Sequence, residues 1–166
     1  MSEEKLAICH ARPEDWLKLR SIRLEALNDT PDAYGSTYDG VVTFSEDRWR
    51  SMTEQSTYFL AERDGEVVGM VSGGLNDDHP GTRWLYGMYV TPSARGGAAA
   101  PMLVDAVSEW ARECGASELF LHVTTSVERA KAFYQKMGFE PTGESFVMNR
   151  DSSLVLMSMR RAIVNE

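Results

Sequence analysis

The hydrophobic pattern divides the chain into short runs typical of strands and longer segments with helical spacing. Six short runs are continuously apolar or alternate between apolar and polar residues, as β-strands do: Leu6–His10, Tyr58–Ala61, Val67–Gly74, Leu85–Val90, Glu118–Thr125 and Leu154–Met159. Four segments have helical periodicity or helix-start signals: Pro13–Asn28, Ser45–Met52, Pro101–Cys114 and Val127–Met137. This order predicts an α/β protein with a mixed sheet and helices on both faces.

Turn-forming residues mark the connections between these elements. Asp64-Gly65 lies between two predicted strands and indicates a β-hairpin. The segment 32–43 is predicted to be a loop with at most a short helical turn. Pro141 and Gly143 are predicted to open a second, variable loop before the last strand.

Size and charge limit the class of protein. At 166 residues with 43% hydrophobic content, the chain is expected to form one domain over 1–166 with a sizeable core. The formal net charge of −8 argues against a nucleic-acid partner, which requires a basic face. It permits a cationic partner without requiring one.

Cysteines and apolar runs suggest the compartment. The two cysteines cannot form a disulfide framework, and Cys114 is predicted to be a buried member of a helical apolar stripe. The segment Met1–Lys5 lacks the features of a signal peptide, and no apolar run approaches the length needed to cross a membrane. A reducing, cytoplasmic location and no membrane partner are therefore expected.

The turn between a strand and a helix at 95–100 is the clearest candidate binding site. Its sequence is Arg-Gly-Gly-Ala-Ala-Ala, so little side-chain bulk covers the backbone N–H groups in front of the helix. These N–H groups and the positive end of the helix dipole favour an anion. The turn predicts a phosphate or pyrophosphate site, and ordinary tight packing is the alternative.

Two blocks of sequence resemble a known family. Val90–Gly97 and Ala130–Phe139, with a helix and a strand between them, are similar to the GCN5-related N-acetyltransferases, the GNAT superfamily. The resemblance is strongest over 85–143, which it implies to be the cofactor-binding core. It implies a mostly antiparallel mixed sheet and an enzyme that moves acetyl from acetyl-CoA directly to a primary amine in a ternary complex.

The resemblance also implies which residues bind acetyl-CoA. They are Met88, Tyr89, Val90, Arg95, Gly96, Gly97, Ala98, Ala99, Ala100, Val127, Ala130 and Tyr134. Three positions depart from the usual family pattern. Ala98 stands where a glycine is common, Pro101 removes a backbone donor, and Val127 replaces a frequent asparagine. A Cβ at Ala98 would crowd a phosphate if the backbone there required positive φ.

Catalytic candidates follow from the same resemblance. Tyr134 stands where the family places a tyrosine beside the sulfur of CoA, and it is predicted to be the general acid. The strand at 84–90 lacks the glutamate that many members use as a base. His122 on the next strand is therefore a candidate general base, and a neutral structural histidine is an equal alternative. Tyr34 and Tyr86 are candidate acceptor-binding residues.

Several alternatives remain open from the sequence. A non-catalytic acyl-CoA-binding or regulatory module would explain the departures at Ala98 and Val127 and the missing carboxylate on the strand at 84–90. A nucleotide-phosphate binder unrelated to CoA is disfavoured because the turn lacks the usual nucleotide motifs. The polar segment 76–81 contains two acids and a histidine, but a solvated turn explains them better than a metal site. The acceptor is expected to be a small-molecule or peptide amine, a homodimer is one option for the assembly, and no metal is expected.

Overall fold

The computed structural model describes residues 5–163. Residues 1–4 and 164–166 lie outside the described residues, as does most of the Met1–Lys5 segment judged above for a signal peptide. The helices are α1 Trp16–Asp29, α2 Tyr38–Val41, α3 Glu46–Gln55, α4 Ala99–Glu113 and α5 Glu128–Lys136. The strands are β1 Leu6–His10, β2 Thr57–Arg63, β3 Glu66–Gly74, β4 Arg83–Val90, β5 Glu118–Thr124, β6 Glu140–Met148 and β7 Asp151–Ala162. Short 3-10 turns occupy Pro13–Asp15, Pro31–Ala33 and Pro92–Ala94.

All seven strands in the described range form one sheet with the order β1-β2-β3-β4-β5-β7-β6. Neighbouring strands are antiparallel except β4 and β5, which are parallel. The helix α4 connects this parallel pair, as a crossover must. The predicted mixed sheet, mostly antiparallel, is confirmed.

Helices cover both faces of the sheet, and each face has its own core. On one face, Leu19 of α1 and Trp49 of α3 pack in a cluster with Met70 of β3. On the other face, Leu103 of α4 packs in a cluster with Leu121 of β5. The alternation of side chains along each strand supplies both cores, since successive residues point to opposite faces.

The two central strands, β4 and β5, pair with each other over only a short stretch. The pairing of β4 with β5 covers only Arg83–Leu85 and Leu119–Leu121, although both strands continue beyond it. Past Leu85 the two strands have no register with each other, and a cleft opens between their carboxyl ends. In open α/β sheets, ligands bind at this position.

The segment predicted as a loop after Pro141 is a strand. Over Glu140–Met148, β6 pairs with β7 as the outer strand of the sheet, with register shifts near Gly143 and Met148. An edge strand tolerates a proline because one side of its backbone needs no partner. The irregular register and the exposed side chains explain why the hydrophobic pattern was misleading.

Cys114 is exposed, contrary to the prediction that it is buried. The helix α4 ends at Glu113, so Cys114 is the C-cap residue and extends beyond the packed part of the apolar stripe. Cys9 lies in β1, and partial burial is the main cause of the raised pKa of its thiol. Between residues 5 and 163, no helix has both the length and the apolar character required to cross a membrane.

Candidate active site

Two adjoining cavities occupy the cleft between β4 and β5. One lies against the turn at 95–100 and has a volume of about 360 Å³; we call it the turn cavity. The other lies between β4, β5 and β6, with a volume of about 300 Å³; we call it the strand cavity. Tyr34, Met88 and Tyr134 line both cavities, so these residues mark where the two meet.

Most residues predicted to bind the cofactor line the turn cavity: Met88, Tyr89, Val90, Arg95, Gly96, Ala100, Val127, Ala130 and Tyr134. Three predicted residues do not line it. Gly97 and Ala98 are exposed, and Ala99 is buried in the core under α4. The candidate catalytic residue His122 and the candidate acceptor residues Tyr34 and Tyr86 line the strand cavity.

The turn that begins at Arg95 has the geometry of an anion cradle. Gly96 has a φ of 81°, which favours glycine, and no heavy atom would lie within 4 Å of an added Cβ. Ala98 has a φ of −84° and is the N-cap residue of α4. An alanine at 98 therefore carries no backbone strain, and the crowding considered for it does not arise from positive φ.

Arg95 is held in place by two contacts. Its Nε donates to the carbonyl of Val90 at 3.0 Å, and its Nη2 donates to the Asp29 carboxylate at 2.6 Å. The hydrogen bond from Arg95 is the main cause of the lowered pKa of Asp29. Asp29 was not predicted to belong to the site, and it lies at the end of α1, where the helix dipole disfavours an acid.

Two further cations line the turn cavity and were not predicted from the sequence. Arg129 and Lys136 are seven residues apart on α5, so they share one face of the helix. Two cations separated by two helical turns, on the helix after β5, are the sequence pattern from which this positive surface could have been predicted. With Arg95 they give the turn cavity a positive wall, although the net charge of the chain is negative.

A β-bulge in β4 faces the junction of the cavities. Gly87 and Met88 together lie opposite Val71 of β3, because the register shifts by one residue between the pairs on either side. Gly87 has a φ of 61°. The hydroxyl of Tyr34 donates to the Met88 carbonyl at 2.8 Å, which fixes the bulge from across the cleft.

The loop that carries Tyr34 is held by hydrogen bonds from β5 and from the turn between β6 and β7. Thr124 of β5 donates its hydroxyl to the Asp32 carbonyl at 2.8 Å. Arg150, in the turn between β6 and β7, donates to the carbonyls of Pro31 at 2.6 Å and Tyr34 at 2.9 Å. Arg150 was not predicted to contribute, because its partners are more than a hundred residues away.

Tyr134 lies buried at the junction, with 6% of its surface exposed. Its ring packs edge-on against Phe139 at a centroid distance of 5.7 Å. Burial is the main cause of its raised pKa, and the neighbouring Tyr34 adds to it. The phenol is therefore protonated at neutral pH and can donate a proton.

His122 faces the strand cavity from β5. Its Nδ1 lies 3.2 Å from the hydroxyl of Ser158, and its ring lies 4.4 Å from that of Trp84. Burial is the main cause of its lowered pKa; His79 lowers it further, and Glu144 opposes the shift. The imidazole is therefore neutral at pH 7, as a base must be.

The polar segment 76–81 forms a turn. The backbone N–H of Asp78 donates a hydrogen bond to the side-chain oxygen of Asn76. The imidazole of His79 lies 3.8 Å from the Glu144 carboxylate. Within residues 5–163, no group of three or more His, Cys, Asp or Glu residues is arranged to hold a metal ion.

Comparison with known sequences and structures identifies the family. The sequence pattern of the acetyltransferase (GNAT) family matches residues 16–139. Human N-acetyltransferase 8 is 40% identical over 95 residues, which cover 55% of this chain and 41% of that protein. The N-acetyltransferase YjgM of Escherichia coli is 36% identical over 86 residues, half of each chain. The chain thus spans half or less of the length of these curated relatives.

Solved structures share the fold over nearly the whole chain. The yncA protein of Salmonella typhimurium, solved with its cofactor acetyl-CoA, has a TM-score of 0.79 at 20% identity and covers 98% of this chain and 96% of its own. An N-acetyltransferase from Staphylococcus aureus has a TM-score of 0.78 at 22% identity, covering 96% and 99%.

The chain belongs to the acetyltransferase (GNAT) family, since the family match extends over more than half of its length. The family and the fold expected from the blocks at 90–97 and 130–139 are confirmed. Acetyl-CoA is the acetyl donor of this family, and acetyltransferase is its class of enzyme, in agreement with the prediction.

Proposed function

We propose that the protein transfers acetyl from acetyl-CoA to a primary amine in a ternary complex. The observation that carries this proposal is the meeting of two cavities at Tyr34, Met88 and Tyr134. One cavity has an anion cradle and a cationic wall, and the other has a neutral histidine. Two substrates can therefore occupy opposite sides of a single reaction centre, which direct transfer requires.

The residues of the turn cavity fit acetyl-CoA. The open turn at Gly96 and the N-terminus of α4 suit the pyrophosphate, and Arg129 and Lys136 supply further positive charge. Val127 lines the cavity with an apolar side chain in place of an amide. When bound, the cofactor would supply an acetyl thioester to the amine.

Tyr134 serves as the general acid in this proposal. The amine nitrogen forms a bond to the carbonyl carbon of the thioester, and the carbon–sulfur bond breaks with its electron pair on sulfur. The Tyr134 hydroxyl gives its proton to that sulfur, so CoA leaves as a thiol. The nitrogen loses a second proton as the amide forms, and through solvent that proton restores the Tyr134 hydroxyl.

Backbone groups of the bulge polarise the thioester carbonyl. Of the predicted residues Met88, Tyr89 and Val90, the latter two are paired with β3, and Met88 has no partner residue there. Its N–H is the candidate donor, and Tyr34 holds the same peptide segment through the Met88 carbonyl. A preorganised donor of this kind stabilises charge that develops on the oxygen.

His122 serves as the general base for the amine. An amine with an ordinary pKa near ~10 is almost fully protonated at pH 7, so a proton must be removed before attack. When Nδ1–H donates to Ser158, Nε2 has a free lone pair and can take that proton. The released proton then passes to solvent, balancing the reaction.

Further features of the proposal concern the whole chain. We propose that residues 1–166 form one acetyltransferase domain whose cofactor-binding core is about 85–143. The two cysteines, Cys9 and Cys114, are free and support a cytoplasmic location.

The first test is a calorimetric titration of the protein with acetyl-CoA, with desulfo-CoA and ATP as controls. We expect micromolar binding of acetyl-CoA and no measurable binding of ATP. A turnover assay with an amine panel then separates an enzyme from a non-catalytic acyl-CoA-binding module, because the module would bind and leave every amine unchanged. Failure to bind acetyl-CoA would contradict the proposal.

A further inference from the structure

The strand cavity is lined by apolar, aromatic and small residues. Its larger side chains include Leu85, Met88, Tyr86, Phe146 and Leu156. Of the residues that the structure describes, those that line this cavity include no Asp, Glu, Lys or Arg. Among its ionisable groups, His122 is neutral and the tyrosines are protonated at pH 7. An acceptor inside the cavity therefore meets an uncharged surface.

Charged side chains are grouped outside this cavity. A separate space of about 220 Å³ is lined by Glu144, His79 and Arg160, together with Trp84 and Ser158. Burial raises the pKa of Tyr86, and the negative charge of Asp77 in the loop after β3 raises it further. A second positive charge on an acceptor could thus find a carboxylate only at the rim. A charge held inside without a partner would be costly.

Exposed apolar side chains flank the cavity. Phe146 of β6 is 44% exposed, and its ring meets the His122 ring edge-on at 4.8 Å. Leu75 is 65% exposed, and its carbonyl accepts the hydroxyl of Tyr86 at 3.2 Å. These two side chains add apolar surface beside the uncharged cavity.

We propose that the acceptor is a small primary amine that carries an aromatic ring or a comparably bulky apolar group, such as an arylalkylamine. This proposal rests on the proposed function. The ring fills the uncharged cavity and packs against Phe146 and Tyr86, while the amine points to the junction at Tyr134. An apolar surrounding also lowers the pKa of the bound amine, which helps His122 to deprotonate it.

The bond changes are those of the acetyl transfer above. The nitrogen–carbon bond forms, the carbon–sulfur bond breaks, and the products are an N-acetylated arylalkylamine, CoA thiol and one released proton. No oxidant, reductant or further reactant is needed.

The test compares three amines at saturating acetyl-CoA: 2-phenylethylamine, n-butylamine and spermidine. Burial of a phenyl group is expected to raise kcat/KM for 2-phenylethylamine at least about tenfold over n-butylamine. Spermidine is expected to be the poorest of the three, because its additional charges have no partner in the cavity. Equal rates for all three amines, or a preference for spermidine, would overturn the assignment.

A matched pair of variants tests the location of the ring. Phe146→Ala should raise KM for 2-phenylethylamine about fivefold more than it raises KM for n-butylamine, because only the phenyl ring loses a stacking partner. Val147→Ala is the control, since Val147 is exposed on the same strand and does not line the cavity. Equal effects of Phe146→Ala on both amines would contradict the proposed contact.

The outcomes separate this inference from the proposed function. If acetyl-CoA binds and charged amines are acetylated without a preference for the ring, the enzyme stands and the substrate class is wrong. If acetyl-CoA binds and none of the three amines is acetylated, the substrate class is also wrong. If acetyl-CoA does not bind, the proposed function itself fails.

Discussion

At the scale of single residues, the site depends on side chains whose environment decides their chemistry. Tyr134 is buried and stays protonated, so it can act as an acid. His122 is partly buried between two rings and stays neutral, so it can act as a base. Burial, more than any neighbouring charge, keeps the Tyr134 phenol protonated and the His122 imidazole neutral.

Replacement of Tyr134 by Phe should lower kcat about 100-fold, because the sulfur loses its proton donor. The ring and its contact with Phe139 remain, so the midpoint of thermal unfolding should stay unchanged. Tyr38→Phe is the control, since Tyr38 is exposed on α2. A steady-state assay with both variants decides the matter, and an unchanged kcat for Tyr134→Phe would remove the acid role.

Asp29 is expected to compete with the cofactor phosphates for Arg95. Its replacement by Asn removes a negative charge beside the turn and leaves Arg95 anchored to the Val90 carbonyl. Acetyl-CoA should therefore bind about threefold more tightly, as measured by calorimetry at low salt. The control variant, Glu109→Gln, removes an exposed ion pair on α4 and should not change the affinity for acetyl-CoA. Weaker binding by Asp29→Asn would mean that the acid positions Arg95 instead.

Two exposed residues should shift the pKa of His122 in opposite directions. Glu144 raises this pKa and His79 lowers it, so Glu144→Gln should lower it and His79→Gln should raise it. Only the neutral imidazole accepts a proton, so the acid limb of kcat/KM should move in the same direction as the pKa. NMR titration of the His122 ring provides a measurement independent of turnover. Shifts of the same sign in both variants would contradict this account.

At the scale of elements, the bulge in β4 aims the peptide at Met88 toward the cleft. The hydrophobic pattern predicted the strand, but a pattern of period two cannot reveal an extra residue within it. The tyrosine that holds the bulge lies 54 residues earlier in the sequence. Contacts of this kind have no local signature, so they could be found only in the structure.

Replacement of Gly87 by Ala should impair catalysis more than stability. Gly81 offers a matched control, because both glycines have positive φ and neither has a heavy atom within 4 Å of an added Cβ. Both variants should lose roughly 1 kcal/mol of unfolding free energy from backbone strain. Only Gly87→Ala should also lower kcat, since it disturbs the bulge. Chemical denaturation and steady-state kinetics on both proteins give the comparison, and equal kcat values would show that the bulge is not needed.

At the scale of the whole molecule, the sequence predicted the layers and most strands but not the outer edge or the full site. Regular periodicity and the blocks at 90–97 and 130–139 were sufficient for six strands, the long helices and the family. The edge strand β6 was missed because its side chains are mostly exposed and its register is broken. Asp29 was missed because it pairs with Arg95 across 66 residues, a separation that no sequence pattern encodes.

Ligand binding should stabilise the short pairing between β4 and β5. Acetyl-CoA bound in the cleft would contact both strands and add to the short pairing at Arg83–Leu85. Saturating acetyl-CoA should therefore raise the unfolding temperature and slow amide hydrogen exchange at the carboxyl ends of both strands. Exchange measured by mass spectrometry with and without the ligand tests this, and protection confined to the turn at 95–100 would contradict it.

Because β4 and β5 pair only as far as Leu85 and Leu121, the sheet also has an unpaired edge inside the molecule. Edges at the rim of a sheet risk pairing with other molecules, and proteins usually shorten or cover them. The backbone of β4 beyond Leu85 is an edge that faces the cleft and not the rim of the sheet. A slender ligand with amide groups along an extended arm, as in the pantetheine of CoA, can pair with it as a strand would. Recognition of this arm would then depend on the peptide backbone and the bulge, so side chains around it could vary while the cofactor stays the same.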